Sequence, residues 1–297
     1  MERITYSKMV SRLEGFDPWL VSLGLKPVPN DRIHEAFKLL RKADEASRIG
    51  HETGKYTNIA PDDWFGIVEA LEAHDVFAAF HNDAPLAVAP VMKRALSGPA
   101  RPADENARNR DGRNIWFELA LAAEWRLRGA AVSLGEPDLR LTKDDVTFLL
   151  ACKRPDSIRS VKTSLRFALK QIEDNLEGAP DNCFGVVAIS LNRVFNDGNQ
   201  VFSGKMEVLG DLLAGVLDEY KPYLNKAARN PKFCCVVFHI ATPGLGEGGV
   251  DMVRASYAVA QELWPSIGSK IFKQHTVEMY SPKQGWSNSV NQSSSEI

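Results

Sequence analysis

Apolar residues recur at helical intervals through roughly the first hundred positions of this chain. In "NDRIHEAFKLLRKADEAS", Ile33, Phe37, Leu40 and Ala43 fall on one helical face behind Asn30 and Asp31 as an N-terminal cap. "APDDWFGIVEALEAHDVFAAF" starts with Pro61 and acids in its first turn, as helix N-termini favour. "LAVAPVMKRAL" predicts a third helix interrupted by Pro90, and no strand is expected before residue 129. The period then changes. Residues 114–128 read as a helix, and "AAVSL", "DLRLT" and "VTFLLACK" as three short strands. An amphipathic helix over 157–176, the strand "CFGVVAISL", a helix over about 205–220 and the buried strand "FCCVVFHIAT" follow. Residues 250–263 are expected to be helical, and "KIFKQHTVEMY" to be an edge strand.

Between these regimes, "GPARPADENARNRDG" is polar and proline-bearing, which marks a linker or exposed loop. The expected plan is a helical N-terminal domain over 1–100, a linker over 101–112, an α/β domain over 113–282 and a disordered tail over 283–297. No apolar run approaches the ~18 residues that span a bilayer. The N-terminus lacks the apolar core of a signal peptide, so a cytoplasmic location is expected. Cys152, Cys183, Cys234 and Cys235 all lie in apolar runs without a CxxC pair, as reduced core thiols do. The net charge of −2 carries no global basic signal, so contact with nucleic acid requires a local patch.

That patch and a candidate site lie side by side. Pro137 and Asp138 open the second strand, and Ala151-Cys152-Lys153 end the third, followed by Arg154-Pro155. Residues 151 and 153 share one strand face. Glu118 sits among Ile115, Leu121, Ala122 and Trp125 on the preceding helix, a costly position for an unpaired carboxylate. Glu124, four residues before Arg128, is explained by a surface ion pair. On the next helix Arg159, Lys162, Arg166 and Lys170 form a basic stripe, while Gln171 lies off both the basic and the apolar faces. An amphipathic helix with a solvated face explains such a stripe in isolation; its alternative reading is a row of cations that tracks a nucleic-acid backbone.

Helix–strand–strand–strand–helix–strand, with PD on the second strand and xCKRP on the third, resembles the PD-(D/E)XK nuclease superfamily over residues 113–192. The resemblance implies a restriction-endonuclease-like mixed sheet flanked by helices and Mg²⁺- or Mn²⁺-dependent hydrolysis of phosphodiester bonds, with DNA as the preferred substrate. A restriction or antiviral defence role would follow. It assigns metal ligation to Asp138, Glu118 and the carbonyl of Cys152, and orientation of water and transition-state stabilisation to Lys153. Glu136 shares a strand face with Asp138 and is read first as an exposed turn acid and second as an auxiliary ligand, while Gln171 resembles the helix glutamine of some branches. Ala151 stands where the family has its second acid.

Three explanations of that alanine are open: an engineered replacement of glutamate, a naturally degenerate domain, or takeover by Glu136 or Glu173. The first is favoured because the rest of the motif is intact. The chain is therefore expected to be impaired as a nuclease. The alternatives are a silent module that binds nucleic acid or a partner, and a nucleotide-binding enzyme using "GLGEGG" at 244–249. A partner subunit engaging the N-terminal helices, and a homo-oligomer, remain open, and a membrane is excluded from the expected partners. "GHETGKYT" at 50–57 is too short between its glycines for a P-loop, and the six histidines show no ligand spacing.

Overall fold

The computed structural model describes residues 6–53, 61–196, 198, 202–203, 206–227, 230–246 and 249–259. The chain forms two units, one from Arg3–Leu134 with Asn196–Val201 and one from Gly135–Phe195 with the described residues from Phe202 onward.

The first unit holds α1 (Tyr6–Leu13), α2 (Phe16–Ser22), α3 (Arg32–Thr53), α4 (Pro61–Phe80), α5 (Pro85–Ala95), α6 (Asp111–Leu127) and the short strand β1 (Ala131–Leu134). Helix α4 is its centre, packed against α3 and α6, and every residue from Phe65 to Val76 is buried. Phe16 is fully enclosed, meeting Trp19 and Phe37 edge-on at 5.4 and 5.0 Å. Burial of α4 also encloses Glu69, Glu72 and Asp75, and each finds a partner, as low-dielectric surroundings require, with Asp75 meeting the His74 ring at 3.1 Å. Glu69 accepts from Arg32 at 2.6 Å and from Arg113 at 2.8 Å. Glu72 accepts from the indole of Trp116 at 3.0 Å.

The stretch expected to be a linker is tied down by the same network. Arg113 donates to the Ala100 carbonyl at 3.0 Å and lies 3.9 Å from buried Glu105, and Pro102–Asp104 form a 3-10 turn. Polarity there reflects ion pairing as much as exposure. Glu124 pairs with Arg128 at 2.9 Å as expected, although this acid is buried instead of at the surface.

The second unit contains β2 (Leu139–Lys143), β3 (Val146–Lys153), α7 (Ile158–Leu176), β4 (Cys183–Ser190), α8 (Asn192–Phe195), β5 (Phe202–Ser203), α9 (Met206–Ala227), β6 (Phe233–Gly246) and β7 (Gly249–Val259). These strands run in the order β2-β3-β4-β6-β5, and β7 also pairs β6. Pairing is mixed: β3, β4 and β6 are parallel, whereas β2–β3 and β6–β7 are antiparallel. The chain is thus a mixed α/β protein. The β2–β3 turn puts Asp144 and Asp145 at φ +50° and +63°, the left-handed pair that a two-residue hairpin favours.

Residues 250–263 were expected to be helical, yet Gly249–Val259 form a strand hairpinned to β6. Val253, Ala255, Tyr257 and Val259 carry a period of two that a helical reading overlooks, and the long ladder from Val236↔Val259 to Gly246↔Gly249 selects it. The expected strand "KIFKQHTVEMY" and the polar tail lie outside the described residues. No helix among the described residues is long and apolar enough to cross a membrane.

Candidate active site at the ends of strands β2 and β3

Alternation along β3 sorts its residues. Leu149 and Ala151 join Val161, Leu165, Leu169 and Ile172 of α7 in one apolar cluster, while Lys153, next on that face, reaches polar partners beyond it. Helix α7 buries Val161, Leu165, Ala168, Leu169, Ile172 and Leu176 on the sheet. Its approach is close: a Cβ at Gly185 of β4 would lie 2.1 Å from the Ile172 side chain. A Ser157/Ser160 capping box starts the helix, and the Tyr220 hydroxyl donates to the Ile158 carbonyl at 2.8 Å.

The backbone amide of Asp138 donates to the Leu150 carbonyl at 3.0 Å, one residue out of step with the Leu139↔Leu150 pairing, so the regular ladder stops at Leu139. The bond from Gln171 draws the Asp138 carboxylate to the α7 side of the sheet, the side that Ala151 also faces. Because the Asp138 carboxylate is held on the Cys152 amide, a side chain at 151 belongs to the neighbouring residue of β3 on the same side.

Around Asp138 the hydrogen bonds close into a network. Its Oδ2 accepts from the Cys152 amide at 2.6 Å and from Lys153 Nζ at 3.0 Å. Lys153 also donates to Gln171 Oε1 at 2.7 Å. The Gln171 amide donates to Asp138 Oδ1 at 3.1 Å and to Glu136 Oε1 at 3.2 Å. Asn175, one turn further along α7, donates to the Gln171 carbonyl at 2.9 Å and reaches Glu136 at 3.4 Å. The side chains of Lys153 and Asp138 are 27% and 17% exposed, so the cluster opens to solvent at one side.

The structure thus brings together Asp138, Lys153, Cys152, Glu136 and Gln171, with Ala151 buried beside them. Glu118 is half-buried on α6 in the other unit. Glu173 does not join the cluster's hydrogen bonds. Burial chiefly pushes the Tyr223 phenol upward, Arg166 opposes that rise and Glu173 adds to it. Arg159, Lys162, Arg166 and Lys170 are all exposed, with Lys162 Nζ 5.6 Å from the Tyr223 ring centroid. Asn175 was not anticipated, although its place four residues after Gln171 is the sequence signal for it.

The glycine stretch 244–249 links antiparallel β6 and β7. A dinucleotide turn needs a helix N-terminus for the pyrophosphate. The hairpin removes that requirement's geometry, which counts against the nucleotide-binding alternative. All four cysteines are buried and free, and burial pushes the Cys234 and Cys235 thiols well up. Among the described residues, no group of three or more His, Cys, Asp or Glu side chains could hold a metal ion. No family model matches the chain, and comparison with curated proteins found no match.

Proposed function

We propose that this chain is a metal-dependent nuclease of the PD-(D/E)XK kind, acting on DNA and held at low activity by Ala151. The observation that supports this reading is the 3.0 Å pairing of Asp138, just before β2, with Lys153 at the end of β3, with Gln171 joined to both.

Magnesium takes one or two carboxylates and keeps several waters. Asp138 and Glu136, both reached by the one Gln171 amide, fit that demand in kind, with the Cys152 carbonyl as a further oxygen donor. The set is one carboxylate short of the full motif because residue 151 is alanine. When bound, such an ion neutralises charge developing on the phosphate and makes its water more acidic. Lys153 has three N–H donors, and Asp138 and Gln171 engage two of them. The third is available to a phosphate oxygen or an attacking water. The Cys152 amide fixes the Asp138 carboxylate, and the basic stripe of α7 supplies attraction for the backbone.

Cleavage of plasmid and oligonucleotide DNA with Mg²⁺ or Mn²⁺ tests the proposal. Ala151→Glu should cut where the parent barely does, and adding Lys153→Ala should silence it again. A folded Ala151→Glu protein that cuts neither substrate with either metal would refute it. A second reading, a silent nucleic-acid-binding module, draws on the self-satisfied state of Asp138, both of whose oxygens already have partners within the chain. It predicts binding without cleavage in the same variants.

A further inference from the structure

Phe167 is the one exposed phenylalanine or tryptophan among the described side chains, 56% accessible in the middle of a helix whose other large apolar groups are mostly buried. It stands four residues before Gln171, so the two are neighbours on the α7 surface, one turn apart. The Arg166 guanidinium lies 5.1 Å from the Phe167 ring centroid. Arg159, Lys162 and Lys170 form an exposed basic row along the side of α7 next to this position, and the acids of α7, Glu173 and Asp174, come only after it.

Charge of one sign beside a bare aromatic ring matches a specific ligand chemistry. The cations suit phosphates, and an exposed ring suits the flat face of a base. In a duplex the base faces are covered by their neighbours, so only an unpaired or extruded nucleotide can present one. We infer that Phe167, backed by Arg166, is a stacking platform for an unpaired nucleotide beside the Asp138–Lys153 cluster. The inference rests on the nucleic-acid reading above and deepens it: the preferred substrate carries a single-stranded segment at the site.

Fluorescence anisotropy of the purified full chain tests this, with a labelled single-stranded oligonucleotide and the matching blunt duplex in EDTA over a range of salt. The single strand should bind tighter. Phe167→Ala should weaken its binding about tenfold, within the range for one lost base stack, and leave duplex affinity and salt slope unchanged. Phe167→Trp should retain affinity and show base-dependent quenching against the parent's tryptophan background. Arg159→Glu with Lys162→Glu should weaken both forms and flatten the salt slope. If that charge variant weakens binding while Phe167→Ala matches the parent, the stacking role is refuted and the nuclease reading stands. Equal loss on both forms from Phe167→Ala, with a lowered melting temperature, refutes it as well. Absence of binding to either form by the parent refutes both the inference and the reading beneath it.

Discussion

Replacing Glu69 by glutamine removes a charge that two buried guanidinium groups share. Arg32 is 1% exposed and Arg113 5%, and Glu69 lies 2.6 and 2.8 Å from them. Burial pushes the Glu69 carboxyl up, but attraction to Arg113 and Arg32 outweighs it and holds the group below the usual carboxylate range. Glutamine keeps the volume and one acceptor oxygen and loses the charge. Removing one partner of a buried pair costs about 3–5 kcal/mol, because the remaining ion has left water without compensation. Arg32 would retain the Ala95 carbonyl and the Trp116 face, and Arg113 the Ala100 carbonyl and nearby Glu105. These remnants place the expected loss near the lower bound, about 3 kcal/mol, a large part of the roughly 5–15 kcal/mol typical of a folded domain. Urea unfolding followed by circular dichroism measures it. Asp111→Asn serves as control, because its pair with Arg94 is about 60% exposed on both sides. The control should change stability by less than about 0.5 kcal/mol. A depressed folded pKa also means that the Glu69 contribution is present above the unfolded carboxylate value and disappears as pH falls through the folded one. Glu69→Gln should flatten that acid limb. A loss below about 1 kcal/mol, or an unchanged acid limb, would refute the assignment of the network as a main support of the helical unit.

Three other outcomes are expected. His34 bridges Asp31 at 2.8 Å and Asp17 at 2.6 Å, and its pKa is raised, chiefly by the hydrogen bond with Asp31. Its stabilisation should be complete below about pH 6.5 and lost as pH rises through the raised folded value, and thermal melts of His34→Gln between pH 5 and 9 should lack that component. Gly185→Ala would drive a methyl into Ile172 and should cost about 1–3 kcal/mol in urea melts, with a loosened Gln171 environment visible by NMR. In Ala151→Glu the new carboxylate enters a site with no exposure, so the variant should melt lower without metal and recover with Mn²⁺; a melt indifferent to metal would count against ligation there.

Local pattern was enough for most elements and for one shared face. Helices α3 to α7 and strands β1 to β4 were readable because their periods of 3.6 and 2 reflect burial on one side, and the spacing of residues 151 and 153 alone put both on the same face. The identity of β7 was not readable, since Val, Ala and Tyr suit either state and the β6 ladder decides between them. Nor was the fate of the polar residues. Glu69 and Glu124 look like surface acids until helix packing encloses them, and Phe167 looks like a core residue until α7 turns it outward. The meeting of Asp138, Lys153 and Gln171 depends on β2–β3 register and on the close seating of α7 over Gly185. Register and seating are long-range facts, set by which surfaces exclude water together. A linear pattern can show which side of an element is apolar, but only the packed chain determines what that side meets.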